Sequence, residues 1–129
     1  MARILVVDDE CDVATMLKFM LERDGHVVTT ACDGADALAE LGIEPEDAAK
    51  PVPDLAILDV MMPVLDGYGV AARLFASPRT KLVPVLILTA KSRPAQSDRT
   101  TPNVIAHVDK PFDPRALREL VAGMTGGIR

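Results

Sequence analysis

Five short apolar runs, separated by stretches with helical periodicity, constrain the fold of this chain more than any other feature. They cover residues 4–7, 27–31, 55–58, 83–88 and 104–108 of 129. The first, third and fourth runs are almost continuous Val, Ile and Leu, which is typical of parallel strands covered on both faces. The second run contains two threonines and is more polar, which suits a strand at the edge of the sheet.

Helical patterns lie between these runs. The first has apolar residues at i, i+3, i+4, i+7 and i+8: Val13, Met16, Leu17, Met20 and Leu21. A last helix begins after Asp113, a good N-cap, because Pro114 follows where no backbone N–H is needed. This alternation predicts an α/β fold, a parallel sheet with helices on both faces. We expect a single domain over residues 1–129, with a frayed tail over 125–129.

Two segments fit the alternation poorly. Residues 42–54 contain three prolines and few apolar side chains, so they are predicted to form a long loop. Residues 91–102 have Ala95 as their only apolar side chain, although a helix is expected there. With little burial to offset the entropy of ordering, this helix should be short or mobile, with Pro94 at or near its start.

The composition narrows the classes of function. The formal net charge is −5, from 14 basic and 19 acidic residues, which argues against direct nucleic-acid binding by this chain alone. No apolar run approaches the roughly 18 residues of a membrane span, and no signal-peptide pattern is present, so no membrane insertion is expected. Cys11 and Cys32 are not in a CxxC arrangement. They are predicted to be reduced thiols packed in a cytosolic domain rather than a disulfide or metal pair.

The residues that follow the apolar runs carry the functional signal. They are Asp8 and Asp9 after the first run, Asp59 after the third, Thr89 after the fourth and Lys110 beyond the fifth. One polar residue at a strand end is ordinary, because Asp or Thr there usually caps the next helix. Three carboxylates, a hydroxyl and an ammonium from four strands are harder to explain by capping. In open α/β sheets, ligands bind outside this end of the strands.

The chemistry open to these groups is limited. Clustered carboxylates at the end of a buried strand are costly unless a positive charge neutralises them. Mg2+ is the natural choice, because it is bound by one or two carboxylates and keeps several waters. The metal would let a carboxylate act as a nucleophile toward a phosphoryl group. Lys110 would add a mobile positive charge and Thr89 a donor, and the product would be an aspartyl phosphate.

Four short motifs at these strand ends carry a resemblance to a known family. They are "VVDDE" at 6–10, "LDVMMPVLDG" at 58–67, "LTA" at 88–90 and "VDKPF" at 108–112. Each is weak alone, but together they resemble the receiver domain of two-component response regulators over essentially the whole chain. The resemblance, rather than the pattern of apolar runs, implies a flavodoxin-like, doubly wound sheet of strand order 2-1-3-4-5.

The resemblance also implies a function. The domain would accept a phosphoryl group from a sensor histidine kinase or a histidine phosphotransfer protein in the cytoplasm, and the change in its surface would signal to a homodimer partner or a downstream protein. It would catalyse only its own phosphorylation and dephosphorylation.

Metal and phosphoryl roles follow residue by residue from the resemblance. Asp59 would be the phosphoacceptor and would also contact the metal. Asp9 would bind Mg2+ directly, and Asp8 directly or through water. The backbone carbonyl of Met61 would be another metal ligand.

The remaining roles concern the fourth and fifth strands. By resemblance, Lys110 would pair with Asp59 or its phosphoryl group, and Thr89 would turn inward to bond that group. The bond between Lys110 and Pro111 would be the family's cis peptide. His107 stands where the family usually has an aromatic ring that moves inward with the threonine. It either takes part in this switch or points to solvent and takes no part.

Two rival functions stay open. A phosphatase of the haloacid dehalogenase type also uses a strand-end aspartate, but it needs a second acid two residues on, where this chain has Met61. A receiver-like scaffold that only binds partners is disfavoured by the intact set of site residues. The sequence names neither the kinase nor the output. The chain is either a stand-alone regulator or part of a longer protein.

Overall fold

A computed structural model describes residues 2–89 and 100–125, in which strands and helices alternate. The strands are β1 (Arg3–Val7), β2 (Val27–Ala31), β3 (Leu55–Asp59), β4 (Val85–Thr89) and β5 (Val104–Asp109). The helices in this part of the chain are α1 (Cys11–Arg23), α2 (Gly34–Glu40), α3 (Gly67–Ala76) and α4 (Pro114–Met124).

The strands form one parallel sheet in the order β2-β1-β3-β4-β5. This confirms the predicted flavodoxin-like order and the edge position of β2. Val7, near the end of β1, pairs with Ala31 on one side and with Leu58 on the other. The carboxyl ends of these strands therefore lie along one rim, and the winding reverses between β1 and β3, where ligands bind in such sheets.

The core has one layer on each face of the sheet. Helices α2 and α3 cover one face, with Ala37 and Leu74 fully buried, and helices α1 and α4 cover the other through Leu17 and Val121. Strands β3 and β4 are buried at every position. This explains why their sequences are continuously apolar rather than alternating.

Two expectations about element limits and faces are wrong. Met16 is 43% exposed, because the buried stripe of α1 runs through Ala14, Leu17 and Leu21 and leaves Met16 at its margin. Strand β4 begins at Val85 rather than at residue 83. The residue before it is Pro84, which has no N–H to contribute to a sheet ladder.

Side-chain caps fix where three of the described helices begin, and at α2 Asp33 accepts a hydrogen bond from the Asp36 N–H at 2.7 Å. Asp113 accepts a hydrogen bond from the Arg115 N–H at 3.1 Å, and Pro114 is the first residue of α4, as the sequence predicts. Asp66 caps α3 by accepting from the Gly69 N–H at 2.9 Å. This cap sets the point at which the chain leaves the rim after β3.

The predicted long loop over 42–54 is confirmed, because no helix or strand element falls within it. Arg79 holds the loop by donating to the Leu41 carbonyl at 3.1 Å and the Lys50 carbonyl at 2.6 Å. The predictions of a short or mobile helix within 91–102 and of a frayed tail over 125–129 fall mostly on residues 91–99 and 126–129, which lie outside the described part. Among the described residues, no helix has the length and apolar character needed to cross a membrane.

Candidate functional site

Three carboxylates meet where β1 and β3 end. Asp8 and Asp9 follow β1, Asp59 ends β3, and one carboxylate oxygen of each lies within 4.8 Å of those of the other two. Asp8 is fully buried and Asp59 is 2% exposed, whereas Asp9 is exposed. The pairing of β1 with β3 places these residues side by side.

Lys110 brings one positive charge into this acidic cluster. Its Nζ lies 3.0 Å from Asp8 Oδ2, 3.3 Å from Asp59 Oδ1 and 3.6 Å from Glu10 Oε1. The Lys110 backbone N–H donates to the Thr89 carbonyl at 2.7 Å, which anchors the residue beside the end of β4. One ammonium faces several carboxylates, so the cluster keeps an excess of negative charge.

The electrostatics of the two buried groups follow from this arrangement. Burial, reinforced by the negative charge of Asp8, raises the pKa of Asp59 to about 6, although Lys110 and the Met61 N–H oppose this. Burial alone would lower the pKa of Lys110, but its hydrogen bond to Asp8 and the attraction of Asp59 raise it above the usual value. Lys110 is therefore a permanent cation, and Asp59 is a carboxylate whose charged form its surroundings disfavour.

The backbone after β3 is held tightly around Asp59. The Met61 N–H donates to Asp59 Oδ1 at 3.3 Å, while the Met61 side chain is 66% exposed. Gly67 passes so close that a Cβ on it would lie 2.6 Å from the Asp59 carbonyl oxygen. This glycine ends the motif at 58–67, but sequence reasoning assigned it no role. Its position beside the strand end explains why only glycine fits.

Thr89 follows Leu88, the residue paired with Asp59 in the sheet, but its hydroxyl is bonded to the neighbouring strand β5. It is fully buried at the end of β4, and its Oγ1 donates to Asp109 Oδ1 at 2.8 Å. Sequence reasoning did not single out Asp109. Its place at the end of β5, paired with Thr89 in the sheet register, is the signal that could have identified it.

His107 fits neither of the two expectations fully. It is exposed on β5, but its Nε2 lies 3.1 Å from the hydroxyl of Tyr68, which is 1% exposed. The two rings are 6.1 Å apart between centroids. A switch role for His107 stays a prediction. It would be tested by measuring how phosphorylation-induced dimerisation or partner binding depends on pH in the wild type and in His107→Phe.

The donor set of this rim fits a hard divalent cation. All the candidate ligands are oxygens, and two of the three carboxylates are buried with too little positive charge to balance them. Mg2+ is typical of such sites, since it needs few protein ligands. The same rim holds a buried carboxylate, an ammonium and a hydroxyl, which are the kinds of group that a site for receiving a phosphoryl group needs.

Comparison with known proteins gives a consistent family. Residues 4–122 match the family model described as response regulator receiver domain. The chain is 38% identical over 122 residues to the alkaline phosphatase synthesis transcriptional regulatory protein PhoP of Bacillus subtilis. That alignment covers 92% of this chain and 46% of PhoP, so the chain spans about half the length of that relative.

Solved structures agree in fold. The chemotaxis protein CheY4 of Vibrio cholerae has a TM-score of 0.83 and 30% identity, with 96% of this chain and 98% of that chain covered. The receiver domain of the sensor histidine kinase PA1611 of Pseudomonas aeruginosa has a TM-score of 0.80 and 25% identity, with 97% and 98% covered. The latter structure has a magnesium ion coordinated in its active-site cleft.

Proposed function

The chain belongs to the response regulator receiver family of two-component systems, and on that premise we propose that it is phosphorylated on Asp59 in a Mg2+-dependent reaction. The observation that carries this proposal is the convergence of Asp8, Asp9, Asp59 and Lys110 at one rim of the sheet. Their chemistry matches what a phosphoacceptor site needs.

The metal would be held by Asp8, Asp9 and Asp59, with the backbone carbonyl of Met61 as a further ligand. The oxygen donors within 4.8 Å of one another support this assignment, as does the magnesium ion in the related receiver of PA1611. When bound, Mg2+ supplies positive charge that offsets the repulsion between the nucleophile and the incoming phosphoryl oxygens.

In the transfer, an oxygen of Asp59 attacks the phosphorus of a phosphohistidine. The phosphorus–nitrogen bond breaks, its electron pair returns to the imidazole, and an acyl phosphate forms on Asp59. Lys110, already 3.3 Å from Asp59, binds a phosphoryl oxygen. The hydrogen bond from the Thr89 hydroxyl to Asp109 breaks, and the hydroxyl donates a hydrogen bond to the phosphoryl group instead. This movement changes the surface around β4 and β5.

The proposed donor is a sensor histidine kinase or a histidine phosphotransfer protein. The output would pass to a second copy of the chain or to a downstream protein, with no direct contact to nucleic acid by this domain. A cytoplasmic location stays a prediction, as does the extent of a single domain over residues 1–129. Catalysis would be limited to gain and loss of the domain's own phosphoryl group.

A phosphatase of the haloacid dehalogenase type is the less favoured alternative. It would need a second acid two residues after the nucleophile, where the Met61 side chain points out and is 66% exposed. A methionine at that position cannot act as a general acid.

The deciding experiment is incubation with acetyl phosphate, with and without Mg2+, followed by intact-mass measurement. We expect one added phosphoryl group that requires Mg2+ and is absent in Asp59→Asn, because an amide is a poor nucleophile. Asp54→Asn is the matched control, since Asp54 is an exposed carboxylate just before β3, at the opposite end of the sheet. Undiminished labelling of Asp59→Asn would overturn the assignment. No labelling of the wild type would favour the alternative that the domain is a scaffold that only binds partners.

A further inference from the structure

The two cysteines of the chain lie against each other at the protein surface. The Sγ atoms of Cys11 and Cys32 are 3.8 Å apart, and both side chains are exposed. The expectation that they are packed inside the domain is therefore wrong, although both are free thiols. The chain has two cysteines in all, and they are 21 residues apart in sequence. Both of its thiols are therefore in this one contact.

The sheet topology explains why they meet. Cys11 is the first residue of α1, and Cys32 directly follows β2, the neighbour of β1. The Asp8 N–H donates to the Ala31 carbonyl at 3.2 Å, which joins the ends of these two strands. The segments that follow β1 and β2 therefore begin side by side, which brings the thiols of Cys11 and Cys32 into contact.

The backbone at or next to each cysteine is anchored by a hydrogen bond to an aspartate side chain. The Cys32 N–H donates to Asp36 Oδ2 at 3.2 Å, and the Glu10 N–H, next to Cys11, donates to Asp8 Oδ1 at 2.9 Å. Each sulfur can change position by a change of rotamer about its Cα–Cβ bond. Closing the gap to bonding distance, about 2 Å between sulfurs, therefore needs side-chain rotation and a small backbone adjustment.

We propose that Cys11 and Cys32 form a redox modification site, closed reversibly to an intramolecular disulfide by a peroxide. One cysteine, as its thiolate, attacks hydrogen peroxide, giving a sulfenic acid and a hydroxide ion that takes up a proton and leaves as water. The second thiol attacks that sulfur, the sulfur–oxygen bond breaks, and a second water leaves. Two thiols and one peroxide thus give one disulfide and two waters, and a dithiol reverses the reaction by exchange.

The bond would connect the start of α1 to the end of β2. Since Cys11 lies two residues after Asp9, the disulfide would also fix the loop that carries the exposed carboxylate of the acidic cluster. Solvent exposure of both sulfurs gives the oxidant and the reductant access without unfolding, which buried structural cysteines lack.

The test uses the full 129-residue chain, reduced, desalted and exposed to hydrogen peroxide at fixed pH. Samples are quenched with iodoacetamide and measured by intact mass. We expect a monomer that has lost two hydrogens and takes up no alkyl group, at a rate independent of protein concentration. Dithiothreitol should restore both alkylatable thiols. Predominant sulfinic acid, or disulfide-linked dimers, would overturn the proposal.

A displaced pair provides the matched control. The double variant Cys11→Ser, Asp12→Cys keeps two exposed thiols but rotates one of them by about 100° around α1. We expect its intramolecular disulfide to form about ten-fold more slowly or not at all, because the thiols no longer touch. Equal rates in this variant and the wild type would show that the contact between Cys11 and Cys32 has no part in the reaction.

Discussion

Asp59 holds its charge against its surroundings. It is 2% exposed, and burial together with the negative charge of Asp8 raises its pKa to about 6 despite the attraction of Lys110. Near pH 7.5 the carboxylate is ionised, as a nucleophile must be, but the folded protein would be more stable with a neutral group there. A destabilising negative charge of this kind is expected at a site that binds a cation, because the cation would neutralise it.

Replacing Asp59 by asparagine should therefore stabilise the metal-free protein at pH 7.5 by about 1–3 kcal/mol, since each pKa unit corresponds to about 1.4 kcal/mol. The folded pKa lies above the ordinary aspartate value of 3.8, so the folded state binds more protons between these values. Wild-type stability should accordingly fall as pH rises from about 4 to about 6.

Urea unfolding with EDTA across about pH 4–8 measures this effect. The advantage of Asp59→Asn should be full above about pH 6 and shrink toward zero near pH 4, where the wild-type carboxyl is protonated in the folded state and partly so in the unfolded state. A variant that is less stable at pH 7.5, or an advantage that does not change with pH, would contradict the argument.

A hydrogen bond also holds the Thr89 side chain in place. Its hydroxyl donates to Asp109 at 2.8 Å, and under the proposed function this bond must break before the hydroxyl can donate to a phosphoryl group on Asp59. A hydrogen bond to a charged acceptor contributes about 1.5–3 kcal/mol. Asp109→Ala should therefore tighten the binding of beryllium fluoride, a mimic of the phosphoryl group, by about ten-fold in the presence of Mg2+.

Two further variants isolate the contact between Thr89 and Asp109. Asp109→Asn keeps an acceptor oxygen, so its affinity should lie between those of the wild type and Asp109→Ala. In a Thr89→Ala background, Asp109→Ala should have no effect, because the hydroxyl is already absent. The same gain in that background would mean that Asp109 acts through another group.

At the scale of elements, the start of α3 depends on a glycine. A Cβ at Gly67 would lie 2.6 Å from the Asp59 carbonyl oxygen, so Gly67→Ala should displace the backbone that positions Asp59, the proposed phosphoacceptor. We expect a loss of about 1–3 kcal/mol in the free energy of unfolding and slower phosphorylation by acetyl phosphate.

Gly123 in α4 provides the control, because a Cβ there meets nothing within 4 Å. Gly123→Ala should be neutral or stabilise by up to about 1 kcal/mol, since alanine loses less backbone entropy in a helix. Urea unfolding and mass-detected phosphorylation of both variants measure the difference. Equal behaviour of the two alanines would show that the contact between Gly67 and β3 is not constrained.

The elements themselves were largely predictable from the sequence. Continuous apolar runs predicted β3 and β4, and Asp113 with Pro114 predicted the start of α4, because these signals are local. The exposure of Met16 was not predicted. Neighbouring residues of a helix differ by about 100° around its axis, so Met16 can lie outside the buried stripe although Leu17 lies within it. The hydrogen bond of Thr89 to Asp109 was missed because it depends on the register between β4 and β5, and the one between Tyr68 and His107 was missed because it depends on how α3 packs against the sheet.

At the scale of the whole molecule, the site exists because of the sheet order. β1 and β3 are paired, which sets Asp8 and Asp9 beside Asp59. β4 separates β3 from β5, and Lys110, the residue after β5, extends past the end of β4 to contact Asp8 and Asp59. A ligand bound by these residues contacts strands that are far apart in sequence. It should therefore stabilise the global fold rather than one local element.

Mg2+ should accordingly raise the free energy of unfolding, by about 1.4 kcal/mol at a concentration about ten times its dissociation constant, and EDTA should reverse the gain. Asp9→Asn should lose most of it, because the exposed carboxylate at the mouth of the cluster is removed without creating a buried unpaired group. Asp54→Asn, at the other end of the sheet, should respond as the wild type does. Urea unfolding with increasing Mg2+ measures each response, and an equal gain in Asp9→Asn would place the bound cation away from this rim.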